Sequence, residues 1–104
     1  MKEPGIRVEL AAQVLEFVRR QPPERRHRLG VALRKLAHEQ GDIRALEGPL
    51  SGFFRLRVAA FRILLAYAVD KNGRRVIRCL FAEQRSVVYL LMEEMLRKQI
   101  IPDA

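Results

Sequence analysis

Hydrophobic residues recur with two different periods in the first third of the chain, which predicts a strand followed by two helices. Residues 6–10 alternate apolar and charged side chains, as a half-buried strand does. From Ala11 the apolar positions recur at helical spacing as far as Gln21, where the following proline disfavours helical backbone. A second stripe with a 3.6-residue repeat runs from Glu24 to Gly41. We therefore expect one strand and a helical hairpin whose apolar faces need a sheet to cover them.

Beyond the second helix the pattern changes to alternation, which predicts strands. Residues 53–58 alternate so that the two arginines among them point to the same side. Residues 62–69 are almost continuously apolar, as in a central strand covered on both faces. The stretch 70–73 ends in Asn-Gly and favours a tight hairpin turn, after which residues 75–82 return antiparallel. These segments predict a three-stranded antiparallel meander.

A helical repeat of apolar residues over 86–99 predicts a C-terminal helix that Pro102 ends, with Tyr89 on its more polar side. The element order is strand, helical hairpin, three-stranded meander, helix, which is that of a small α+β domain. At 104 residues the chain falls short of the roughly 150 allotted to one domain. We expect a single domain over residues 1–104.

The chain is strongly basic, with 20 Lys and Arg against 12 Asp and Glu and a net charge of +8. Such an excess favours a polyanionic partner, and the alternative is that it serves solubility. Cys79 is the single cysteine, so no internal disulfide forms and a reducing cytoplasm fits best. No stretch has the apolar core of a signal peptide or the roughly 18 apolar residues of a membrane span. We expect a cytoplasmic protein that binds no membrane.

Residues typical of catalytic or metal sites are few and scattered. His27 and His38 lie on the polar second helix, where solvated side chains are the favoured interpretation. Cys79 lies inside a predicted strand, which is typical of a buried structural thiol. The sequence contains no metal, nucleotide or cofactor motif, so we expect neither a metal nor a cofactor.

The strongest candidate chemistry is a set of basic side chains on the predicted strands. Because neighbouring strands lie about 4.8 Å apart, side chains from adjacent strands can converge on one phosphodiester. Guanidinium groups grip phosphate oxygens bidentately, and a tyrosine beside them can stack on an unpaired base. This combination suits RNA, while the alternative is that alternating arginines only solvate an exposed sheet face. The candidates are Arg55, Arg57, Arg62, Arg78, Arg85 and Tyr89.

Three segments, LEGPLSGFFRLR at 46–57, FRIL at 61–64 and RSVVY at 85–89, resemble the RelE/ParE toxin superfamily. The resemblance covers about residues 41 to 96 and extends to the order of the elements. It implies a toxin of a type II toxin–antitoxin module. Members like RelE enter the ribosomal A site and cut messenger RNA, whereas ParE proteins share the fold and poison gyrase.

The resemblance also implies roles for individual residues. Arg55 and Arg57 match two basic positions of a family strand, and Arg62 matches the arginine that opens the next strand. Tyr89 matches the C-terminal tyrosine, and Arg85 a basic position just before it. These five are the catalytic candidates, with Arg62 clamping the scissile phosphate. Together with Arg78, all of them except Arg62 are also expected to bind RNA.

RNA cleavage without a metal uses the neighbouring 2′-hydroxyl as nucleophile, so the site must orient it, neutralise a phosphorane and protonate the leaving 5′-oxygen. Arginines are suited to neutralising the phosphorane. They stay protonated because their pKa is above about 12, so they are poor candidates for the base that removes the 2′-proton. Glu83 is the nearest carboxylate, and it either serves as that base or pairs with Arg85. Ribonucleolytic members often carry lysine, glutamate or histidine where this chain has arginine.

Three hypotheses therefore stay open. The first is a ribosome-associated messenger RNA endoribonuclease that inhibits translation. The second is a gyrase-directed toxin without nuclease activity, and the third is a non-toxic basic module of a repressor complex. The same resemblance implies that the partner is an antitoxin with an acidic, partly disordered segment. Toxin and antitoxin would together form a hetero-oligomer. We expect it to cover the last helix near Val87, Leu90 and Leu91.

Overall fold

The structure is a computed structural model, and it describes residues 5–84. They form one five-stranded sheet, in the order β1-β5-β4-β3-β2, and two helices. The α+β class predicted from the sequence is therefore confirmed. The elements are β1 (Arg7–Leu10), α1 (Ala12–Arg19), α2 (Pro23–Leu36), β2 (Asp42–Ala45), a short 3₁₀ turn (Gly48–Leu50), β3 (Phe54–Val58), β4 (Phe61–Val69) and β5 (Arg75–Gln84).

Both helices of the predicted hairpin form, and both are shorter than predicted. α2 begins at Pro23, where the absence of a backbone N–H costs nothing in the first turn. It ends at Leu36 rather than at Gly41, because Glu39 and Gly41 adopt positive φ angles of 55° and 134° that a helix does not allow. A Cβ atom at Gly41 would lie 2.9 Å from Leu56 Cδ1, so glycine also permits close packing at this exit.

The predicted meander is present as β3, β4 and β5, and the sheet continues on both sides of it. β1 pairs with β5 in parallel, with Arg7 opposite Val76. β2 pairs with β3 antiparallel, with Asp42 opposite Arg57. β2 was not predicted from the sequence, so the three-stranded expectation is corrected to a four-stranded antiparallel meander plus a parallel edge strand.

Two apolar clusters cover the two faces of the central strand β4. On the helix side, Val14, Leu29 and Leu36 pack against sheet residues that include Ile63 and Leu65. On the other side, the loop before β3 covers the sheet, and its cluster consists of Leu50, Phe53, Leu64, Ala66 and Phe81. This two-sided cover explains why β4 is continuously apolar although its neighbours are antiparallel.

A side-chain amide joins α1 to β5. The Gln13 Nε2 donates to the Ala82 carbonyl at 2.7 Å, and the Ala82 N–H donates to Gln13 Oε1 at 2.8 Å. The Ala11 N–H also donates to the Cys79 carbonyl at 2.9 Å. Gln13 thus continues the pairing of β1 with β5 after β1 has ended, and it holds the last residues of β5 against the helix layer.

The predicted C-terminal helix lies outside the described residues, together with Arg85, Tyr89 and the expected antitoxin contacts Val87, Leu90 and Leu91. These stay predictions, as does the extent of the single domain. Within residues 5–84, no helix is long and apolar enough to cross a membrane.

Candidate nucleic-acid site

Four charged residues stand side by side across four neighbouring strands. Asp42 on β2 pairs with Arg57 on β3, Arg57 with Arg62 on β4, and Arg62 with Glu83 on β5. We call these four residues the charged row. Because Arg62 alternates with Ile63, whose side chain packs in the helix-side core, the row lies on the sheet face away from the helices. The two arginines are adjacent at its centre, with an acid at each end.

Arg62 is buried at the centre of the row, with 4% of its surface exposed. Its Nη1 donates to the carbonyls of Ala59 at 3.1 Å and Phe61 at 2.9 Å, both at the β3–β4 turn. Among residues 5–84, no carboxylate lies within ion-pair distance of this guanidinium. Backbone carbonyls therefore fix the orientation of Arg62 and leave its positive charge without a described counter-ion.

Arg55 and Arg57 converge on the same carboxylate. The Arg57 Nε lies 2.7 Å from Asp42 Oδ2, and the Arg55 Nη1 lies 3.2 Å from Oδ1 and donates to the Asp42 carbonyl at 2.9 Å. Only 11% of the Arg55 side chain is exposed, against 52% of the Arg57 side chain. Arg55 thus joins β3 to β2, while Arg57 keeps part of its guanidinium open to solvent.

Asp42 controls the charge at this end of the sheet. Burial raises the pKa of Asp42, but the hydrogen bond from Arg55 and the charges of Arg55, Arg57 and Arg44 outweigh it, so the pKa lies below its usual value. The carboxylate is therefore ionised at neutral pH. Sequence reasoning missed this residue because it missed β2, and the available signal was the alternation in Asp42-Ile43-Arg44-Ala45, which puts Asp42 and Arg44 on one face.

Arg78 does not join the charged row. It pairs with Ala66, four residues along β4 from Arg62, which is about 13 Å at the rise of a strand. Its Nε lies 3.2 Å from Glu9 Oε1 on the edge strand β1. Arg78 instead lines a separate cavity of about 440 Å³ with Arg7 and the β4–β5 turn. Arg78 therefore lies apart from the other three arginines, and its expected contact with RNA stays a prediction.

The other candidate groups have structural or solvent-exposed surroundings. Cys79 is buried, and burial raises the pKa of its thiol to about 12, so the thiolate that reacts or binds metal is disfavoured. His27 and His38 are both exposed. Over residues 5–84, the His, Cys, Asp and Glu side chains form no group of three that would hold a metal ion.

No protein-family model and no curated protein sequence matches the chain. Several solved structures do match it in fold. A YoeB/ParE toxin from Agrobacterium tumefaciens matches with a TM-score of 0.61 at 12% identity, covering 77% of this chain and 99% of that one.

Two toxin–antitoxin complexes match as well. The RelBE2 complex from Mycobacterium tuberculosis gives a TM-score of 0.53 at 19% identity, covering 80% of this chain and 100% of that one. The RelB–RelE complex from Methanococcus jannaschii gives 0.55 at 17% identity, covering 80% and 96%. The chain therefore has the fold of the RelE/ParE toxins, and the predicted resemblance is confirmed at the level of the fold.

Proposed function

We propose that this chain is the toxin of a toxin–antitoxin module and that it cuts messenger RNA at the ribosome. The observation that carries the proposal is the cross-strand pair Arg57 and Arg62, which lies on the helix-free face of two inner strands in a sheet with the RelE/ParE toxin fold. The backbones of their strands lie about 4.8 Å apart and both side chains are on the same face, so the two arginines are neighbours that can contact one phosphodiester.

In the proposed reaction the 2′-oxygen of the nucleotide before the cut attacks phosphorus, and the bond from phosphorus to the 5′-oxygen breaks. Arg62 and Arg57 neutralise the charge that develops on the phosphorane oxygens. Arg62 is suited to this because the Ala59 and Phe61 carbonyls hold it in place before substrate arrives. Arg57 must break part of its ion pair with Asp42 in order to bind a phosphorane oxygen.

The 2′-proton needs an acceptor, which a guanidinium cannot be because it is already protonated, and we assign this role to Glu83. Glu83 faces Arg62 in register, and its Oε1 accepts the Gln84 N–H at 3.0 Å. Asp42 is the poorer base, because its lowered pKa makes proton uptake less favourable. We propose that the leaving 5′-oxygen takes its proton from the segment with Arg85 and Tyr89, which the resemblance makes catalytic candidates and which lies outside the described residues.

The proposed partner is an antitoxin with an acidic segment. Two of the structural matches are complexes of a toxin with its antitoxin, and a net charge of +8 attracts such a segment. We propose that this segment binds the two arginines at the centre of the charged row, as part of a hetero-oligomer in the cytoplasm. An acidic side chain entering the row would compete with phosphate for Arg62.

A gyrase-directed toxin without nuclease activity is the second candidate, and one observation favours it. Asp42 engages both Arg55 and Arg57, so two of the three arginines gathered by the sheet already have a carboxylate partner. A surface of this kind fits a protein target better than it fits a phosphodiester.

Induced expression in cells separates the two candidates. We expect protein synthesis to fail before DNA synthesis in pulse labelling, with new 5′ ends inside translated messages by primer extension. Arg62→Ala, checked for an unchanged far-UV circular dichroism spectrum, is the control and should show neither effect. Early failure of DNA synthesis, with intact messages and inhibited supercoiling by purified gyrase, would reject the nuclease proposal.

A further inference from the structure

The turn between β3 and β4 consists of two residues, Ala59 and Ala60, because Val58 of β3 pairs with Phe61 of β4. Ala59 has a positive φ of 52°. The favoured hairpins of this length need a positive φ at the first turn residue and take glycine, asparagine or aspartate there. A residue with a Cβ meets steric repulsion at such angles, so alanine is an unfavourable choice for the turn itself.

Burial does not explain the alanine either. Ala59 is exposed, so its methyl group gains little from packing that would offset the steric cost. Backbone conformations of this kind persist where the surrounding structure imposes them, and they are concentrated at functional sites. Ala59 is in direct contact with such a site, because its carbonyl accepts a hydrogen bond from Arg62 Nη1 at 3.1 Å.

The Cβ atom of Ala59 restricts the direction of the Ala59 carbonyl. That direction is set by ψ, the rotation about the bond from Cα to the carbonyl carbon. At positive φ an L residue is confined to the small left-handed region, with ψ of about 30° to 60°, whereas glycine also reaches the mirror image of the β region. Alanine therefore holds the carbonyl in one orientation, and glycine would permit more than one.

Arg62 depends on this carbonyl for its own orientation. Its Nη1 donates to two acceptors, the Ala59 carbonyl at 3.1 Å and the Phe61 carbonyl at 2.9 Å. Among residues 5–84, no carboxylate forms an ion pair that would hold the guanidinium instead. If the Ala59 carbonyl turned away, the Phe61 carbonyl alone would remain, and the guanidinium could rotate about that single hydrogen bond.

We propose that Ala59 is a positioning residue, whose Cβ fixes the ψ angle that directs its carbonyl at Arg62. The guanidinium then has one orientation before an anion arrives, and it need not acquire that orientation on binding. The consequence for RNA cleavage rests on the proposed function, whereas the consequence for the orientation of Arg62 does not. The unfavourable φ of the turn is thus maintained for the site and not for the hairpin.

The test replaces Ala59 by glycine, which removes the Cβ and still allows a φ near 52°. We expect the melting temperature to be unchanged or higher, because glycine has no steric cost at positive φ. The cleavage rate at saturating substrate should fall roughly tenfold, with KM changing by less than about threefold, because a preorganised donor is loosened but not removed. An unchanged rate, or a rate that falls together with the melting temperature, would overturn the proposal.

Two further exchanges sharpen this test. Ala59→Asn keeps a Cβ and tolerates positive φ, so it should retain the native rate. Glu39 is the other non-glycine residue with positive φ in the described part of the chain, at 55°, and it lies beyond the end of α2. Glu39→Ala and Glu39→Gly therefore repeat the alanine-to-glycine exchange away from Arg62, and they should cut at equal rates. A tenfold difference between them would show that any relaxed turn slows the reaction.

A second measurement does not depend on cleavage. When two carbonyls hold a guanidinium, its Nη protons exchange places slowly and give separate NMR signals in a chain with isotope-labelled arginine. We expect separate Arg62 signals in the native chain and in Ala59→Asn, and merged signals in Ala59→Gly. This pattern in a chain that cuts no message would support the positioning role and reject the nuclease. Cleavage with the same signals and rates in all three chains would do the reverse.

Discussion

The sheet and α2 are both rich in arginine, but their arginines have different surroundings. On the sheet, acids from neighbouring strands and loops meet the arginines, as Asp42 meets Arg57 and Glu9 meets Arg78. On α2 the arginines are exposed and have no such partner among the described residues. The net charge of +8 does not distinguish the sheet arginines from the α2 arginines. An anion that binds most sheet arginines must displace a carboxylate, whereas one that binds the α2 arginines displaces none among the described residues.

Arg62 is the exception within the sheet. Its contacts are backbone carbonyls rather than a carboxylate, and it is buried at the centre of the charged row. A phosphate that approaches Arg57 competes with the Asp42 carboxylate, whereas one that reaches the buried Arg62 competes with neutral backbone carbonyls. The comparison therefore identifies Arg62 as the group on which the activity of the sheet face depends most.

The largest expected effect is that of Arg62→Ala. Loss of one preorganised donor to a developing charge typically lowers a rate about 10² to 10³-fold, so we expect growth arrest to disappear and cleavage to fall by that factor. Arg62→Lys keeps the charge without the planar fork and should be intermediate. Growth curves and cleavage rates measure the effect, with circular dichroism as the fold control. Full toxicity in a folded Arg62→Ala chain would remove the assignment.

Next comes Gln13→Ala, at the junction of the helix layer and the sheet. The variant leaves the N–H and carbonyl of Ala82 without their partners, so the free energy of unfolding should fall by about 1 to 3 kcal/mol in urea titration. Gln21→Ala is the control, because Gln21 lies just after α1 and its side chain makes a single contact, to the Phe17 carbonyl of that helix, so the variant should cost less. Equal costs would show that Gln13 does not join the two layers.

Asp42→Asn should produce a smaller, pH-dependent effect. Because the pKa of folded Asp42 lies below its ordinary 3.8, the carboxylate stabilises the fold above pH 3.8, and this contribution is lost as the pH falls through the lower folded value. Asp42→Asn should therefore be less stable than the native chain at neutral pH, with the difference narrowing in acid. It should also bind RNA more tightly, because Arg57 is released.

Urea titrations from pH 2 to 7 and RNA-binding measurements check the Asp42→Asn prediction. Glu47→Gln is the matched control, since Glu47 is exposed and has no ion pair within residues 5–84. A stability difference that widens in acid would contradict the account of Asp42.

The smallest expected effect is that of Gly30→Ala on α2. Glycine inside a helix costs about 0.5 to 1 kcal/mol relative to alanine, and a Cβ here would meet only Arg34 Nη1, at 3.4 Å. We expect the free energy of unfolding to rise by that amount. Gly41→Ala is the opposing control and should destabilise, because of its positive φ and its contact with Leu56. Destabilisation by Gly30→Ala would show that the outer side of α2 is packed more closely than described.

The sequence predicts the elements that have long, consistent patterns. Both helices follow from their apolar stripes, and β4 follows from its continuous run of apolar residues, because burial on both faces needs no alternation. The β4–β5 hairpin follows from its turn residues, but its connection runs over residues 70–74, and of the Asn-Gly pair Gly73 alone has a positive φ, 78°, so the tight two-residue turn does not form.

Long-range pairing is the part that the sequence does not predict. β2 has four residues with two charges among them, so its pattern resembles a loop, and Asp42 was missed with it. Arg78 was placed in the site because its strand is evident while its register is not. A register shift at Leu64 and Leu65 opposite β5 further changes which residues face each other.

The most direct test of the central claim uses a message with one 2′-deoxynucleotide at the mapped cut position, presented to the purified chain on ribosomes. The account predicts that cutting stops at that position alone, while unmodified positions yield fragments ending in a 2′,3′-cyclic phosphate. Continued cutting at the deoxy position would contradict it, because the attacking oxygen would be absent.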